Sequence, residues 1–141
     1  MLNAKSQILT IHTDGGSRGN PGPAAIGVDS PLFQLSECIG VATNNTAEYT
    51  AVIKALEYLL ANNLSVSEIN FLLDSELVVK QLNRLYKVKD SNIIILFNRV
   101  QTLLLNLQNQ YPNLTITFAH VRREQNKIAD SLVNKALDSQ K

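Results

Sequence analysis

At Asn44 the hydrophobic period of the chain changes from two to 3.6, and that switch restricts the fold more than any other feature of the sequence. Before it lie short apolar runs divided by turn residues. Ile8, Leu9 and Ile11 occupy a β-prone stretch, QILTIHT, that is expected to stop at Asp14-Gly15-Gly16. GGSRGNPGP reads as a hairpin-like turn before AAIGV, and Ser30-Pro31 as another before LFQLSECIG. Three sequential strands joined by short turns pair as an antiparallel meander.

After the switch, helical and strand patterns alternate. Ala47, Ala51, Val52, Ala55, Leu56, Leu59 and Leu60 form a stripe that predicts a helix from about 46 to 61, capped by Asn45 or Thr46 and ended by Asn62-Asn63. INFLLD (69–74) is a short run of buried-strand type, and Ser75 caps a helix carrying Leu77, Val78 and Leu82. Ile93, Leu96, Phe97, Val100, Leu103, Leu104 and Leu107 mark a long amphipathic helix. Ile94, Ile95 and Leu105 fall outside that stripe; they either widen the buried face, the plainer reading, or form a small contact patch. LTITFAHV is the last strand, and Ile128, Ala129, Leu132, Val133, Ala136 and Leu137 belong to the last helix. The layout βββαβααβα adds a parallel portion to the meander, so the predicted fold is α/β, a mixed sheet covered by helices.

With 141 residues, 45% of them hydrophobic and 18% charged, the chain suits one globular domain, 1–141, and leaves no room for two catalytic domains. A domain of this size buries roughly two thirds of its unfolded surface. Thirteen Lys and Arg against twelve Asp and Glu leave a net charge of +1, so any affinity for a polyanion must come from local placement. The single cysteine, Cys38, excludes an internal disulfide framework and a cysteine-based zinc site, and it fits a reducing compartment. No apolar run approaches ~18 residues, and MLNAKSQILTIHTD lacks the layout of a signal peptide. A soluble cytoplasmic protein with no membrane partner is expected.

Four acidic residues stand at element boundaries: Asp14 ending the first strand, Glu48 in the first turn of the first helix, Asp74 ending the fourth strand, and Asp130 early in the last helix. The carboxyl ends of parallel strands and the N-termini of the following helices share one edge of an α/β sheet, where ligands usually bind. If the first and fourth strands lie side by side and parallel, Asp14 and Asp74 are neighbours, and the start of the first helix can present Glu48 to the same spot. Such a group cannot ionise fully unless a cation neutralises it, and oxygen-only donors suit Mg²⁺ or Mn²⁺ better than Zn²⁺. The competing explanation is that acids favour helix N-termini, which accounts for Glu48 and Asp130 separately but serves Asp14 and Asp74 poorly.

The segments TDGGSRGNPGPAAIG (13–27), TNNTAEYTAVIKAL (43–56), LLDSELVVKQL (72–82) and HVRREQNKIADSLVNKAL (120–137) resemble, in order and spacing, the four motif blocks of type 1 ribonuclease H. The resemblance implies a five-stranded mixed sheet with helices on both sides. It also implies an endonuclease that hydrolyses the RNA strand of an RNA·DNA hybrid, leaving 5′-phosphate and 3′-hydroxyl ends. Carried over by motif position, Asp14, Glu48, Asp74 and Asp130 would bind two Mg²⁺ ions, with Asp14 bridging, Asp130 completing the nucleophile side, and Glu48 and Asp74 holding the other ion. Two ions ~4 Å apart would activate the attacking water and stabilise the leaving 3′ oxygen. His120 matches the family's mobile histidine, a proton carrier or aid to product release. His12 reads instead as a packed, hydrogen-bonded histidine on a central strand.

Gly15, Gly16, Asn20, Asn44 and Asn45 resemble the family's surface against the hybrid minor groove, where small residues and amides suit RNA 2′-hydroxyls; Arg18 and Ser75 are further candidate substrate contacts. Arg18, Lys80, Arg84, Lys87, Lys89, Arg122, Arg123 and Lys127 are candidate phosphate contacts. The chain departs from part of the family in carrying only NRLYKVKDSN (83–92) where some members have a longer basic protrusion. A separate hybrid-binding domain is not expected, and a monomer is. Gly16 stands where many members have Ala, and Arg122 where many have Pro. The alternative reading is a weak or inactive nucleic-acid-binding domain of the same fold. An actin-like ATPase needs two such domains, and TNNTAEY and REQNKIAD point away from integrases and resolvases.

Overall fold

Within residues 7–140, which the computed structural model describes, the chain forms β1 (Ile8–Ser17), β2 (Gly22–Asp29), β3 (Gln34–Ala42), α1 (Asn44–Ala61), β4 (Glu68–Leu73), α2 (Glu76–Leu82), α3 (Ser91–Gln110), β5 (Thr115–His120) and α4 (Lys127–Asp138). A short 3-10 turn, Arg123–Gln125, precedes α4. The first six residues, part of the stretch expected to carry no signal, and Lys141 lie outside the described residues. The sheet runs β3-β2-β1-β4-β5, antiparallel through β1, β2 and β3 and parallel through β1, β4 and β5. This is the mixed α/β sheet implied by the change of period.

Successive residues of a strand face opposite sides, and the core divides accordingly. On one side Ile11, Ile26, Val28 and Phe71 pack with Tyr49, Val52, Leu56 and Leu59 of α1 and Val100, Leu103 and Leu107 of α3. On the other, Ala25 packs with Val133, Ala136 and Leu137 of α4. Each large side chain buried in this way contributes about 1.5–3 kcal/mol of transfer free energy.

Several local expectations are corrected. β1 does not stop at Asp14. Its parallel ladder with β4 closes at Thr13 opposite Leu73, but its antiparallel ladder with β2 continues through Asp14 and Gly15 to Ser17 opposite Ala24. The Gly15-Gly16 pair, read as a turn, remains extended, so Asp14 sits where β1 loses one of its two neighbours. Helix α1 begins at Asn44 under Thr43, whose hydroxyl accepts the Thr46 N–H, so Asn45 and Thr46 are inside the helix and Glu48 lies in its second turn.

On the two-turn helix α2 the buried residues are Val78, Val79 and Leu82, while Leu77 is exposed, because so short a stripe leaves the helix phase to packing. Ile94, Ile95 and Leu105 are exposed rather than part of a widened buried face: α3 docks on α1 instead of on the sheet and buries a narrow seam. Ile128 is also exposed, at the start of α4.

Candidate active site

Four segments each bring one carboxylate to the place where β1 separates from β4. Asp14 lies opposite Gly27 in the β1–β2 ladder and therefore shares its face of the sheet, the face covered by α4. A Cβ at Gly27 would overlap the carbonyl of Ala129, so glycine is what lets α4 lie this close. Asp130 follows Ala129, and its charge adds to the crowding around Asp14.

Glu48 arrives from the opposite layer. A Cβ at Gly15 would overlap the backbone of Ala47, and with none there α1 closes on β1 until Glu48 Oε1 accepts the Gly15 N–H at 2.9 Å. Asp74 is the first residue beyond β4, directly after Leu73, which pairs with Thr13. One carboxylate oxygen each from Asp14, Glu48 and Asp74 lies within 4.8 Å of the others.

Among the described residues the buried polar side chains are Thr13, Asp14, Glu48 and Asn126, all within or beside this group. Burial pushes the Asp14 carboxyl from an ordinary value of 3.8 up to about 8, with the charges of Asp74 and then Asp130 adding to it. Burial, followed by the charges of Asp14 and Asp74, likewise holds Glu48 well above the usual carboxylate range. The Gly15 N–H stabilises the ionised form of both groups and is outweighed. Helix capping does not explain Glu48, which is past the first turn and bonds to another element; Asp130 does stand in the first turn of α4. Deionised carboxyls or a bound cation are the two ways to relieve such crowding. An all-oxygen donor set with two buried acids fits a hard divalent cation, with Asp14, Glu48 and Asp74 as its nearest holders and Asp130 beside Asp14.

The four carboxylates open into a cleft also lined by Gly15, Gly16, Arg18, Asn44 and Ser75. Asn20 and Asn45 line an adjoining cleft that shares Asn44 and includes Lys87 and Lys89. Several of these groups are already engaged. Asn44 Oδ1 accepts the Ser17 N–H at 2.9 Å, Asn20 Oδ1 accepts the Asn44 N–H at 3.0 Å, and Ser75 caps α2 by accepting the Val78 N–H. Arg18 is ion-paired with Asp138 at 2.7 Å. His120 ends β5 opposite Leu73, exposed and outside the side chains that line the carboxylate cleft.

Ser17 and Asn134 line the cleft without having been anticipated, and Arg123 enters it from the 3-10 turn. Asn126 was missed altogether. Its buried amide nitrogen donates to Asp74 Oδ2 at 3.1 Å, and its one sequence signal, an Asn just before a helical stripe, is that of an ordinary cap.

A mixed sheet of this order, with clustered acids where the central parallel pair divides, is a ribonuclease H-like domain with an acidic, cation-type site. A family profile described as "Reverse transcriptase-like" matches residues 32–136. The structure of LC11-RNase H1, isolated from compost, is 40% identical, with a TM-score of 0.84 over 97% of this chain and 98% of that one. LC11-RNase H1 in complex with an RNA/DNA hybrid matches with a TM-score of 0.80 at 39% identity, over 93% of this chain and 97% of that one. Ribonuclease HI of Halobacterium salinarum is 39% identical over 89% of this chain and 62% of its own length. The bifunctional protein Rv2228c of Mycobacterium tuberculosis is 37% identical over 93% of this chain, which spans 36% of that protein. The chain belongs to the ribonuclease HI family.

Proposed function

We propose that the chain acts as one catalytic domain, an endoribonuclease that hydrolyses the RNA strand of RNA·DNA hybrids with Mg²⁺ as its physiological cation and Mn²⁺ as a substitute. The observation that carries this reading is the group Asp14, Glu48 and Asp74, with oxygens within 4.8 Å of one another and two members buried, at the open edge of this fold. A relative 39% identical, crystallised with an RNA/DNA hybrid, supports the choice of substrate.

Asp14, Glu48, Asp74 and Asp130 would hold two cations. The chemistry such cations supply when bound is activation of a water and stabilisation of the leaving 3′ oxygen. The P–O3′ bond breaks as the water oxygen attacks phosphorus, so the 3′ oxygen takes up a proton and the phosphate remains on the 5′ side. The chain's own groups orient the substrate. Gly15 and Gly16 present backbone at close range, and the braced amides of Asn20 and Asn44, with Asn45 beside them, offer partners for 2′-hydroxyls. Lys87 and Lys89, beside those amides, meet backbone phosphate. His120, on the exposed end of β5, exchanges protons from the rim.

Among the described residues no helix is long and apolar enough to cross a membrane. We place the protein in the cytoplasm as a monomer, from a single cysteine that can form no internal disulfide and from the small domain.

The test is incubation with labelled RNA·DNA hybrid, RNA duplex, DNA duplex and single-stranded RNA, in Mg²⁺ or EDTA, beside an Asp14→Asn control. Cleavage confined to the RNA of the hybrid, lost in EDTA and in the control, is expected. Equal cutting of all four substrates, or cutting that survives Asp14→Asn, overturns the reading.

A further inference from the structure

Asn126 ties three of the four carboxylate-bearing segments together. The residue is 1% exposed, and its amide nitrogen donates to the Thr13 carbonyl at 2.9 Å and to Asp74 Oδ2 at 3.1 Å. Its backbone carbonyl accepts the Asp130 N–H at 3.1 Å. Although Asn126 stands at the N-terminus of α4, its side chain makes no capping bond to that helix. The group that would ordinarily cap has been diverted to Asp74 and to the strand that bears Asp14.

With both amide hydrogens used, Asn126 Oδ1 is left as an acceptor, and His12 Nδ1 lies 3.0 Å from it. Nδ1 therefore carries the proton. A flipped amide would set its oxygen against a carbonyl and a carboxylate, so Thr13 and Asp74 choose which way the amide faces and His12, donating to Oδ1 from the other side, holds it there. β4 fixes the backbone up to Leu73, and Asp74 beyond it is only half-buried, so its carboxylate needs a partner to hold one orientation. A neutral amide supplies that partner without cancelling the negative charge, as a lysine or arginine would.

We infer that Asn126 and His12 are positioning residues for cation binding: His12 holds the Asn126 amide, and that amide orients the Asp74 carboxylate. The inference rests on the reading of the carboxylates as a cation site. Hydrogen-bond partners of metal ligands change affinity by about 10–100-fold when removed.

The experiment is Mg²⁺ titration in the absence of nucleic acid, followed by calorimetry and by the Mg²⁺-induced rise in melting temperature, on the wild type, Asn126→Ala, His12→Phe and His12→Asn. Asn126→Ala should weaken Mg²⁺ binding about tenfold, and His12→Phe by a smaller, severalfold factor. His12→Asn should restore wild-type affinity, because an asparagine amide nitrogen occupies the place of the histidine Nδ1. In hybrid cleavage, the Mg²⁺ concentration for half-maximal rate should rise while KM for the hybrid stays constant. Should Asn126→Ala fail to fold, the His12 pair carries the test. Wild-type Mg²⁺ affinity in Asn126→Ala and His12→Phe, or a His12→Asn as weak as His12→Phe, overturns the inference alone. A wild type that binds no Mg²⁺ overturns the cation-site reading, and this inference with it.

Discussion

The Gly15 N–H donates to Glu48 Oε1 at 2.9 Å, across two elements and between residues 33 apart in sequence. The contact depends on a missing side chain. A Cβ at Gly15 would overlap the backbone of Ala47, whereas a Cβ at Gly16 would meet only Val133 Cγ1 at 3.7 Å and Asn44 Oδ1 at 4.0 Å, ordinary contacts. Gly15→Ala should therefore lower stability by about 1–3 kcal/mol in chemical denaturation and weaken Mg²⁺ binding by drawing Glu48 back. Gly16→Ala should stay within about 0.5 kcal/mol of wild type.

Asp14 is buried among like charges, so removing its charge relieves repulsion. In EDTA, Asp14→Asn should melt above the wild type by scanning calorimetry, at roughly 2–4 °C per kcal/mol relieved for a domain of this size. The same substitution should abolish hybrid cleavage. A lower melting temperature in EDTA would refute the crowding argument.

The raised Asp14 pKa also fixes the sign of a pH effect. Below about 4 the carboxyl is protonated in both folded and unfolded chains. Between its ordinary 3.8 and the folded value of about 8, the unfolded chain ionises while the folded protein keeps the proton, so stability falls as pH rises. Glu48 shifts in the same direction. Metal-free protein should thus unfold at lower denaturant near pH 8 than near pH 6. The Mg²⁺-induced rise in melting temperature should be larger near pH 8, where protons compete less for the site.

Lys87 and Lys89 border the cleft shared by Asn20, Asn44 and Asn45, while Arg18 is held by Asp138. Hybrid affinity should be weak and steeply salt-dependent. The Lys87→Ala, Lys89→Ala double variant should lower the slope of log K against log salt by ~1–2 in fluorescence anisotropy, since each phosphate contact adds about 0.9. A slope unchanged by the double variant would remove these lysines from the interface.

His120 lies outside the carboxylate cleft, at an exposed strand end. His120→Ala should leave Mg²⁺ affinity and melting temperature unchanged while lowering kcat by up to about 100-fold, read from single-turnover and steady-state cleavage.

The element order and the four acids were legible without coordinates, because a period of two or 3.6 and an acid at the end of an apolar run are local properties of a sequence. Where a pattern was short or its meaning depended on a neighbour, legibility ended. A stripe of two turns does not set which side of α2 is buried, so Leu77 is exposed, and Gly15-Gly16 has the composition of a turn while the residues that forbid a side chain at Gly15 belong to α1.

The sequence by itself determined an α/β sheet with a meander and a parallel extension, and it marked the four acids that line one cleft at the edge of that sheet. Only the tertiary structure decided that β1 outlasts its pairing with β4, so that Asp14 meets Asp74 at the point of separation. It also decided that Asn126 turns from its own helix to Asp74. Those facts depend on how closely α1 and α4 approach the two faces of one sheet. That distance is set at Gly15 and Gly27 by atoms that are absent, and a local pattern of side chains cannot express it.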